Sequence, residues 1–412
     1  MSADFTSRWL QWPDHVSLTE GGFPAGFSGG TAAAGLKASG KEDLALILCD
    51  SPDCTSAIRQ TRSSAAAAPV LVNRTLVETE SIRAIVANSG NANAGTGQDG
   101  LTDAIQVRYS AASALGVEPE YVAVCSTGVI GQRLDAVALC AAMPAAVGNL
   151  SSDSDHSVAG AIMTTDKAEK RFALDVDLPE GTVRLTAQAK GAGMIQPSFA
   201  TMFCFLQTDA KLSSETCDLL LGTVVKRSFE RISVDGQLST NDVVILMASG
   251  ASGITVAPQS ESEALFGQAL DALVRALALE IVADGEGAVR VARVLVEGGD
   301  DDTVEHVART VAGSPLVKAA LHGGDPNWGR ILGAVGMALP DSPGMPVDIE
   351  IEGIEVCSAG AMVPFDEEAL NKAVSGSEVE YTVRVPGSGS LTEVFFSDLS
   401  HEYVTINSEY TT

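Results

Sequence analysis

The strongest constraint on the fold is a set of short, almost wholly apolar runs that end at glycine, asparagine or aspartate. Such runs are typical of strands buried on both faces, since a strand with one wet face alternates apolar and polar residues. In the first half the predicted strands are DLALILCD, APVLVN, IRAIVANSGN and EYVAVCSTG, separated by the helix-like segments LTDAIQVRYSAASALG and DSDHSVAGAIMTTD. This alternation predicts an α/β fold with sheets packed between helices.

The second half continues the alternation in a chain too long for one hydrophobic core. Its strongest predicted helices, with apolar residues at three-to-four spacing, are SSETCDLLLGTVVKRSFERIS and SESEALFGQALDALVRALALEIVADG. Its predicted strands are VVILMASG, VRVARVLVEGG, VDIEIEGIEV, EVEYTVRVPG and TEVFFSDLS. Because the chain has 412 residues, we expect two mixed α/β lobes.

Charge and cysteine usage exclude several classes of protein. The net charge of -27 opposes binding to nucleic acid or to anionic membranes, since both require a basic surface. The seven cysteines are scattered without CxxC spacing, which predicts neither a zinc site nor a disulfide framework and fits a reducing cytosol. The first residues lack an apolar signal core. We therefore expect a cytoplasmic protein.

Three local patterns need interpretation. GTGQDG, residues 95–100, matches GxGxxG, but a long small-residue loop separates it from the strand before it, so we interpret it as a tight loop. GFSGG, residues 26–30, matches GxSxG without the preceding strand of a nucleophile elbow, so we interpret it as a surface turn. HGGDPNWGR, residues 322–330, is either a structural turn, capped by Asp325 and with Arg330 in a buried ion pair, or a loop close to a functional site.

Thr201 is placed unusually, behind a glycine-rich segment and directly before the apolar run MFCFL. One interpretation is that Thr201 merely begins a strand, as threonine often does. The other is that its hydroxyl is a nucleophile, which requires a base. No histidine pattern supplies one, but the α-amine of Thr201 itself could serve if the bond between Ala200 and Thr201 is cut.

A resemblance decides between these interpretations. Eight segments between Asn88 and Thr412 resemble, in order, segments of the ornithine acetyltransferase (glutamate N-acetyltransferase) family, and we take the resemblance to cover about residues 40–412. They are NSGNANAGTG, CSTGVIG, AIMTTD, KGAGMIQPSFATMF, STNDVVILMASG, IVADGEGA, SPLVKAALHGGDPNWGRILGAVG and the terminal INSEYTT. One such segment would be weak evidence for the family, whereas eight in the same order are highly specific.

The resemblance implies a self-cleaved enzyme of N-terminal-nucleophile-like fold. The cut would fall between Ala200 and Thr201, giving an alpha chain, residues 1–200, and a beta chain, residues 201–412, with a smaller lobe at roughly 290–400. Two chains of each kind would form a heterotetramer. Thr201 would be the nucleophile, and Thr127 and Gly128 would donate hydrogen bonds to the oxyanion of the transition state.

The resemblance also implies the substrate contacts. Acetyl would pass from N2-acetylornithine to Thr201 and then to glutamate in a ping-pong cycle, without metal or cofactor; amino-acid N-acetyltransferase activity is a second possibility. Lys190 would pair with an α-carboxylate and Glu286 with a cationic amine. Glu286 lies between glycines, which predicts an uncovered side chain. The remaining contacts implied by position are Thr164, Thr201, Asn407 and Thr412.

Several positions depart from the family pattern and leave the substrate open. They are Lys167, Gln237, Leu238, Val289 and Arg290. The nucleophile and oxyanion residues are intact, so acyl transfer is expected even if this chain is a specialised paralogue with another amino-acid substrate. Two alternatives are a self-cleaved aminopeptidase or amidohydrolase that uses water as acceptor, and an uncleaved binding protein.

Overall fold

The computed structural model describes residues 6–196, 202–342 and 344–409. Within these ranges the strands form three sheets, of four, six and seven strands. The four-stranded and six-stranded sheets pack face to face, with helices outside both. The seven-stranded sheet has a core of its own.

The four-stranded sheet is built in the first half of the chain. Its strands are β2 (Phe27–Ala32), β3 (Leu44–Cys49), β5 (Ala84–Asn91) and β6 (Val122–Val129), in the order β2-β3-β5-β6. Only β5 and β6 are parallel. Its outer face is covered by α1 (Ala68–Leu76), α2 (Gly97–Leu115) and α3 (Ala136–Gly148). Because α2 connects two parallel neighbours, the carboxyl ends of β5 and β6 lie side by side.

The six-stranded sheet lies against it. Its strands are β1 (Val16–Leu18), β4 (Thr55–Gln60), β7 (Lys170–Leu178), β8 (Gly181–Lys190), β9 (Phe203–Thr208) and β11 (Val243–Ala248), in the order β1-β7-β8-β9-β11-β4. Its outer face is covered by α5 (Ser214–Arg227) and α6 (Glu261–Ala283), while α4 (Asp155–Ile162) contacts strands of both sheets.

Alternation along the strands explains how the two sheets share a core. On β9, Cys204 and Leu206 face the helices, whereas Phe203 and Phe205 face the four-stranded sheet. Both sets are buried, which requires the apolar runs seen in the sequence. The predicted α/β class, with sheets between helices, is confirmed.

The seven-stranded sheet belongs mainly to the last third of the chain. Its strands are β10 (Ile232–Ser233), β12 (Val291–Glu297), β13 (Asp348–Ile351), β14 (Ile354–Ser358), β15 (Ala361–Met362), β16 (Glu378–Arg384) and β17 (Leu391–Ser397). The helices of this part are α7 (Asp301–Gly313), α8 (Pro315–Gly323), α9 (Trp328–Ala338), α10 (Glu367–Ala373) and α11 (His401–Glu409). The predicted division at residues 200 and 201, and the lobe bounds, stay predictions.

Two local predictions are wrong. APVLVN, predicted as a strand, lies in helix α1. Its proline occupies the first turn of the helix, where the missing N–H breaks no hydrogen bond, and one face packs on the four-stranded sheet. GFSGG, predicted as a surface turn, enters the largely buried strand β2 instead. Gly30 is needed there because a Cβ would lie 2.2 Å from the Ala146 carbonyl oxygen.

Helix α6 holds a carboxyl group that is buried in the core. No helix in the described ranges has the length and apolar character needed to cross a membrane, and α6, with 23 residues, instead packs in the core. Glu280 on α6 is buried, and its Oε2 has no hydrogen-bond partner among the residues that the structure describes. Burial raises the pKa of Glu280 to about 8, although Lys170 acts in the opposite direction.

This raised pKa predicts a pH-dependent stability. The folded state holds the Glu280 proton more tightly than the unfolded chain, whose pKa is about 4.3. The contribution of protonated Glu280 to the stability of the folded state is therefore complete below about pH 4 and is lost as the pH rises through about 8. Glu280→Gln is always neutral, so its melting temperature should exceed that of the wild type at pH 9 by more than at pH 5. Glu261→Gln, exposed at the other end of α6, is the control; an equal difference at both pH values would contradict the prediction.

Candidate active site

The predicted site residues meet where strands of the two facing sheets end. Thr127 and Gly128 lie at the carboxyl end of β6, and Lys190 is the last residue of β8. Nζ of Lys190 donates hydrogen bonds to Thr127 Oγ1 at 3.2 Å and to Thr164 Oγ1 at 2.8 Å. The structure therefore brings together three residues that lie far apart in the sequence.

Lys190 is a buried cation whose direct hydrogen-bond partners in the described part of the chain are hydroxyl groups. Its side chain is 2% exposed, and among the residues that the structure describes it forms no ion pair. Burial lowers the pKa of Lys190, and the carboxylate of Asp166 opposes that effect. An unpaired buried charge is costly, so an incoming carboxylate would find a strong partner here.

A neighbouring ion-pair network explains why Lys190 forms no ion pair with Asp166. Asp166 Oδ1 accepts hydrogen bonds from Lys170 Nζ and from the Gly191 N–H, both at 2.7 Å. Lys170 Nζ also donates to Asp284 Oδ2 at 2.5 Å. Burial alone would raise the pKa of Asp166, but Lys170 and Lys190 hold it well below its usual range. Asp166 therefore remains a carboxylate, engaged mainly by Lys170.

The backbone around Gly128 permits close approach of two strand ends. Gly128 has φ +130°, and a Cβ there would lie 2.4 Å from the Gly90 carbonyl carbon and 2.6 Å from the Asn91 nitrogen. Thr127 Oγ1 accepts a hydrogen bond from Lys190. Its own hydroxyl hydrogen therefore does not point toward Lys190. The hydroxyl of Thr127 and the N–H of Gly128 are donor types suited to an oxyanion.

Asparagine side chains brace this strand end, a role that sequence reasoning missed. Asn241 Nδ2 donates to the carbonyls of Ser126 and Ala92, both at 2.7 Å. Asn88 Oδ1 accepts from Ser126 Oγ at 2.6 Å. The peptide before Thr127 is thus held from two sides. The asparagine-rich segments NSGNANAG and STND were the available signal.

Glu286 is buried, so the prediction that neighbouring glycines leave it uncovered is wrong. Its N–H donates to the Ala192 carbonyl at 2.8 Å, and a Cβ on Gly193 would lie 2.7 Å from its carboxyl carbon. The glycine is needed because the Glu286 carboxylate packs against that backbone. Asn407 Nδ2 donates to Oε2 of Glu286 at 2.8 Å. In the described ranges Glu286 has no cationic partner within ion-pair distance.

Ala200, Thr201 and Thr412 lie outside the described residues. The residue that follows Thr201 is fixed: Met202 donates its N–H to Asp242 Oδ1 at 2.9 Å and accepts from the Val243 N–H at 3.1 Å. Burial raises the pKa of Asp242 well above its usual range. Sequence reasoning assigned no role to Asp242, although it stands in the STND motif.

A cleft of about 940 Å³ opens beside this cluster. Thr164 and Asp166 lie in its wall, whereas Lys190 and Glu286 do not line it. Lys167, one of the departures from the family pattern, lines it too, and its N–H donates to Asp284 Oδ2 at 3.0 Å. Lys167 therefore lies in the cleft beside the cluster of Thr127, Thr164 and Lys190.

The GTGQDG loop is filled by its own side chains. A Cβ on Gly100 would lie 1.9 Å from Thr96 Oγ1 and 2.5 Å from Asn93 Oδ1. Gly95 and Gly97 adopt positive φ angles of +69° and +58°. The positive φ of Gly95 agrees with a tight loop, but the interpretation is wrong for residues 97–100, which form the first turn of α2.

Known proteins identify the family. Residues 28–412 match the model of the ArgJ family. The chain belongs to this family. An arginine biosynthesis bifunctional protein ArgJ from Chlorobium chlorochromatii is 42% identical over 396 residues, covering 95% of this chain and 91% of the relative. Its counterpart from Symbiobacterium thermophilum is 40% identical over 393 residues, covering 94% and 98%. The recognition made from the eight segments is confirmed.

A solved structure is also similar to part of the chain. It is an ornithine acetyltransferase from Mycobacterium tuberculosis in complex with ornithine. The identity is 38%, the match covers 44% of this chain and 98% of that chain, and the TM-score is 0.41.

Gly128→Ala should damage both the fold and the site. The positive φ alone costs a non-glycine residue on the order of 1–3 kcal/mol, and the close contacts with Gly90 and Asn91 add to that cost. Gly131→Ala is a matched control, because Gly131 also has a positive φ but nothing lies within 4 Å of an added Cβ. Gly128→Ala should therefore lower the melting temperature and the acetyl-transfer rate well below those of Gly131→Ala. Equal losses would contradict the role of close approach.

Proposed function

We propose that this chain is an acetyltransferase of arginine biosynthesis that moves acetyl from N2-acetylornithine to glutamate. The observation that carries the proposal is a buried cation, Lys190, close to a buried anion, Glu286, neither of which forms an ion pair within the described ranges. An ornithine derivative offers the complementary pair, an α-carboxylate for Lys190 and a side-chain ammonium for Glu286. An acetyl donor of this kind matches both charges at once.

The first half-reaction builds an acetyl-enzyme. The hydroxyl oxygen of Thr201 forms a bond to the acetyl carbonyl carbon, and its proton passes to the α-amine of Thr201. The carbonyl oxygen becomes an oxyanion that accepts hydrogen bonds from Thr127 and Gly128. The bond from this carbon to the ornithine nitrogen then breaks, and that nitrogen takes the proton from the α-ammonium. Ornithine leaves, and acetyl stays on Thr201 as an ester.

The second half-reaction returns the enzyme to its starting state. The α-amine of glutamate attacks the ester carbon and gives up a proton to the α-amine of Thr201, while the same donors hold the oxyanion. The bond from this carbon to the Thr201 oxygen then breaks, and that oxygen takes the proton back from the α-ammonium. Lys190 can bind the α-carboxylate of either amino acid, because both share that group. These steps need neither metal nor cofactor.

The proposal includes how the enzyme is made. The α-amine base exists only after the bond between Ala200 and Thr201 is cut, so we propose self-cleavage into residues 1–200 and 201–412. Assembly as a heterotetramer of two alpha and two beta chains is part of the same proposal. The cytoplasm stays the predicted location.

The alternatives are less well supported. Membership of the ArgJ family favours acetyl transfer over an aminopeptidase that uses water as acceptor. The relatives are named bifunctional proteins, which gives a specific reason to keep amino-acid N-acetylation as a second activity. An assay with acetylornithine in the presence and absence of glutamate separates transfer from hydrolysis.

Thr201→Ala should give one uncut and inactive chain, because both cleavage and acyl transfer require the hydroxyl. Thr201→Ser should still be cut but should transfer acetyl poorly, since it keeps the hydroxyl and loses the methyl group that positions it. Mass spectrometry of the purified protein counts the fragments. Ser198→Ala removes a nearby hydroxyl and should be cut normally; two fragments from Thr201→Ala would refute self-cleavage by this residue.

Glu286→Gln should impair the cationic donor selectively. The substitution keeps shape and removes the charge that pairs with the ammonium, so kcat/KM for acetylornithine should fall by more than about tenfold. Activity on an uncharged acetyl-amino acid should fall much less.

Glu169→Gln is the matched control for that experiment. Glu169 lines the neighbouring cleft, but its side chain is 42% exposed and beside Arg171. Its loss should leave the preference for acetylornithine unchanged. If Glu286→Gln lowers activity on both substrates equally, Glu286 has a structural role and does not recognise the ammonium.

A further inference from the structure

The HGGDPNWGR segment contacts the Glu286 region through one histidine. His322 lies in the last turn of α8, and Gly324 ends that helix in the left-handed conformation. Two details of the predicted structural turn are wrong. Asn327, not Asp325, caps the next helix, and Arg330 donates to the Leu316 carbonyl rather than to a buried carboxylate.

His322 holds a buried carboxylate. Its Nδ1 lies 2.7 Å from Oδ2 of Asp398, whose side chain is fully buried. The other oxygen, Oδ1, accepts the backbone N–H groups of Val289 at 3.0 Å and Arg290 at 3.1 Å. Asp398 is therefore a bridge between α8 and the residues that directly follow the Glu286 turn.

The same α8 also anchors the chain on either side of Asp398. The buried Nζ of Lys318 donates to the Ser397 carbonyl, and the Leu399 N–H donates to the Lys318 carbonyl at 3.2 Å. Asp398 itself donates its N–H to the Arg290 carbonyl at 3.0 Å. Residues 397–399 are thus clamped between α8 and the start of β12.

This clamped segment supports both groups that form the ammonium site. A Cβ on Gly287 would lie 2.6 Å from Ser400 Oγ and 2.4 Å from the Tyr403 nitrogen, so the turn packs directly on the beginning of α11. Helix α11 in turn carries Asn407, which donates to the Glu286 carboxylate at 2.8 Å. The carboxylate and its hydrogen-bond donor therefore share one support.

We propose that His322 is a positioning residue for substrate charge recognition: through Asp398 it fixes the turn that carries Glu286 and the helix that carries Asn407. The inference rests on the proposed function of Glu286 and goes beyond it. It assigns to the seven-stranded lobe a part in selecting a donor with a cationic side chain, although His322 itself need not touch the substrate.

Two substitutions of His322 test whether its hydrogen bond to Asp398, rather than the volume of its side chain, supports activity. His322→Ala removes the donor to Asp398 Oδ2 and leaves that buried oxygen unpaired. His322→Asn places an amide nitrogen near the position of Nδ1 and should restore the bond, so it should restore activity. For acetylornithine, His322→Ala should raise KM roughly tenfold, the size expected for one hydrogen bond to a buried charge. The value of kcat should change little, because Glu286 binds a part of the substrate remote from the reacting bond.

The preference for acetylornithine over an uncharged acetyl-amino acid, here called charge discrimination, is a measurement that a general loss of stability would leave unchanged. The ratio of kcat/KM for acetylornithine to that for an uncharged acetyl-amino acid should fall in His322→Ala about as it does in Glu286→Gln. The double variant should discriminate no worse than Glu286→Gln alone, because both changes act on one contact. Hydrogen exchange at the amides of Val289 and Arg290 should be faster in His322→Ala than in the wild type. His306→Ala, exposed on α7, is the control and should match the wild type throughout.

The outcomes distinguish this inference from the proposed function. If Glu286→Gln leaves the discrimination unchanged, the proposed role of Glu286 fails, and the inference fails with it. If Glu286→Gln removes the discrimination and His322→Ala does not, only the inference is overturned. Equal impairment in His322→Ala and His322→Asn, or unchanged exchange at Val289 and Arg290, would also overturn it.

Discussion

The site depends on the buried ion-pair network formed by Asp166, Lys170 and Asp284. Lys170 donates to both carboxylates, at 2.7 Å and 2.5 Å, and is itself buried. The network joins the loop after α4 and the adjoining strand β7 to the end of α6, and Asp284 lies 114 residues from Lys170 in the sequence. Breaking one partner of such a network is expensive, because it leaves an uncompensated charge inside the protein. The surrounding backbone is therefore held firmly.

The network also determines what remains available for a ligand. Asp166 lies near both Lys170 and Lys190, but its Oδ1 is taken by Lys170 and by the Gly191 N–H. Lys190 is left with two hydroxyl partners and no ion pair in the described ranges. Asp284 ends α6 just before the turn that carries Glu286, whose carboxylate forms no ion pair with any residue that the structure describes. The protein thus buries two opposite charges, Lys190 and Glu286, without an ion-pair partner in that part of the chain.

Strand ends of both facing sheets lie close to these charges. Lys190 ends β8 and pairs with Phe203 of the antiparallel strand β9, so Met202 lies at the same edge. The carboxyl end of β6, from the facing sheet, reaches this edge at Thr127. The seven-stranded lobe meets the cluster from another side, through the turn at Glu286 and helix α11. Thr127 and Lys190 are therefore held by the two facing sheets, whereas the turn at Glu286 is supported by the seven-stranded lobe.

The sequence by itself determined the fold class, most strand positions and the family. Apolar runs identify buried strands because burial on both faces leaves no room for polar residues. The nature of the predicted site residues was readable from motifs, and the structure brings Thr127, Thr164, Lys190, Glu286 and Asn407 into one region. Helix α1 was misread because an apolar run of six residues has no reliable period, and only packing against a sheet decides its conformation.

Only the tertiary structure decided which charges are paired. The sequence shows Asp166, Lys170, Lys190 and Asp284 as ordinary charged residues, and it gives no sign that Lys170 takes both carboxylates. Nor does it show that His322 meets Asp398, 76 residues further along the chain. Such contacts depend on distances of a few ångströms between elements that the chain order does not relate. Burial of Glu286 was missed for the same reason, since its cover comes from the backbone at Gly193 and from α11.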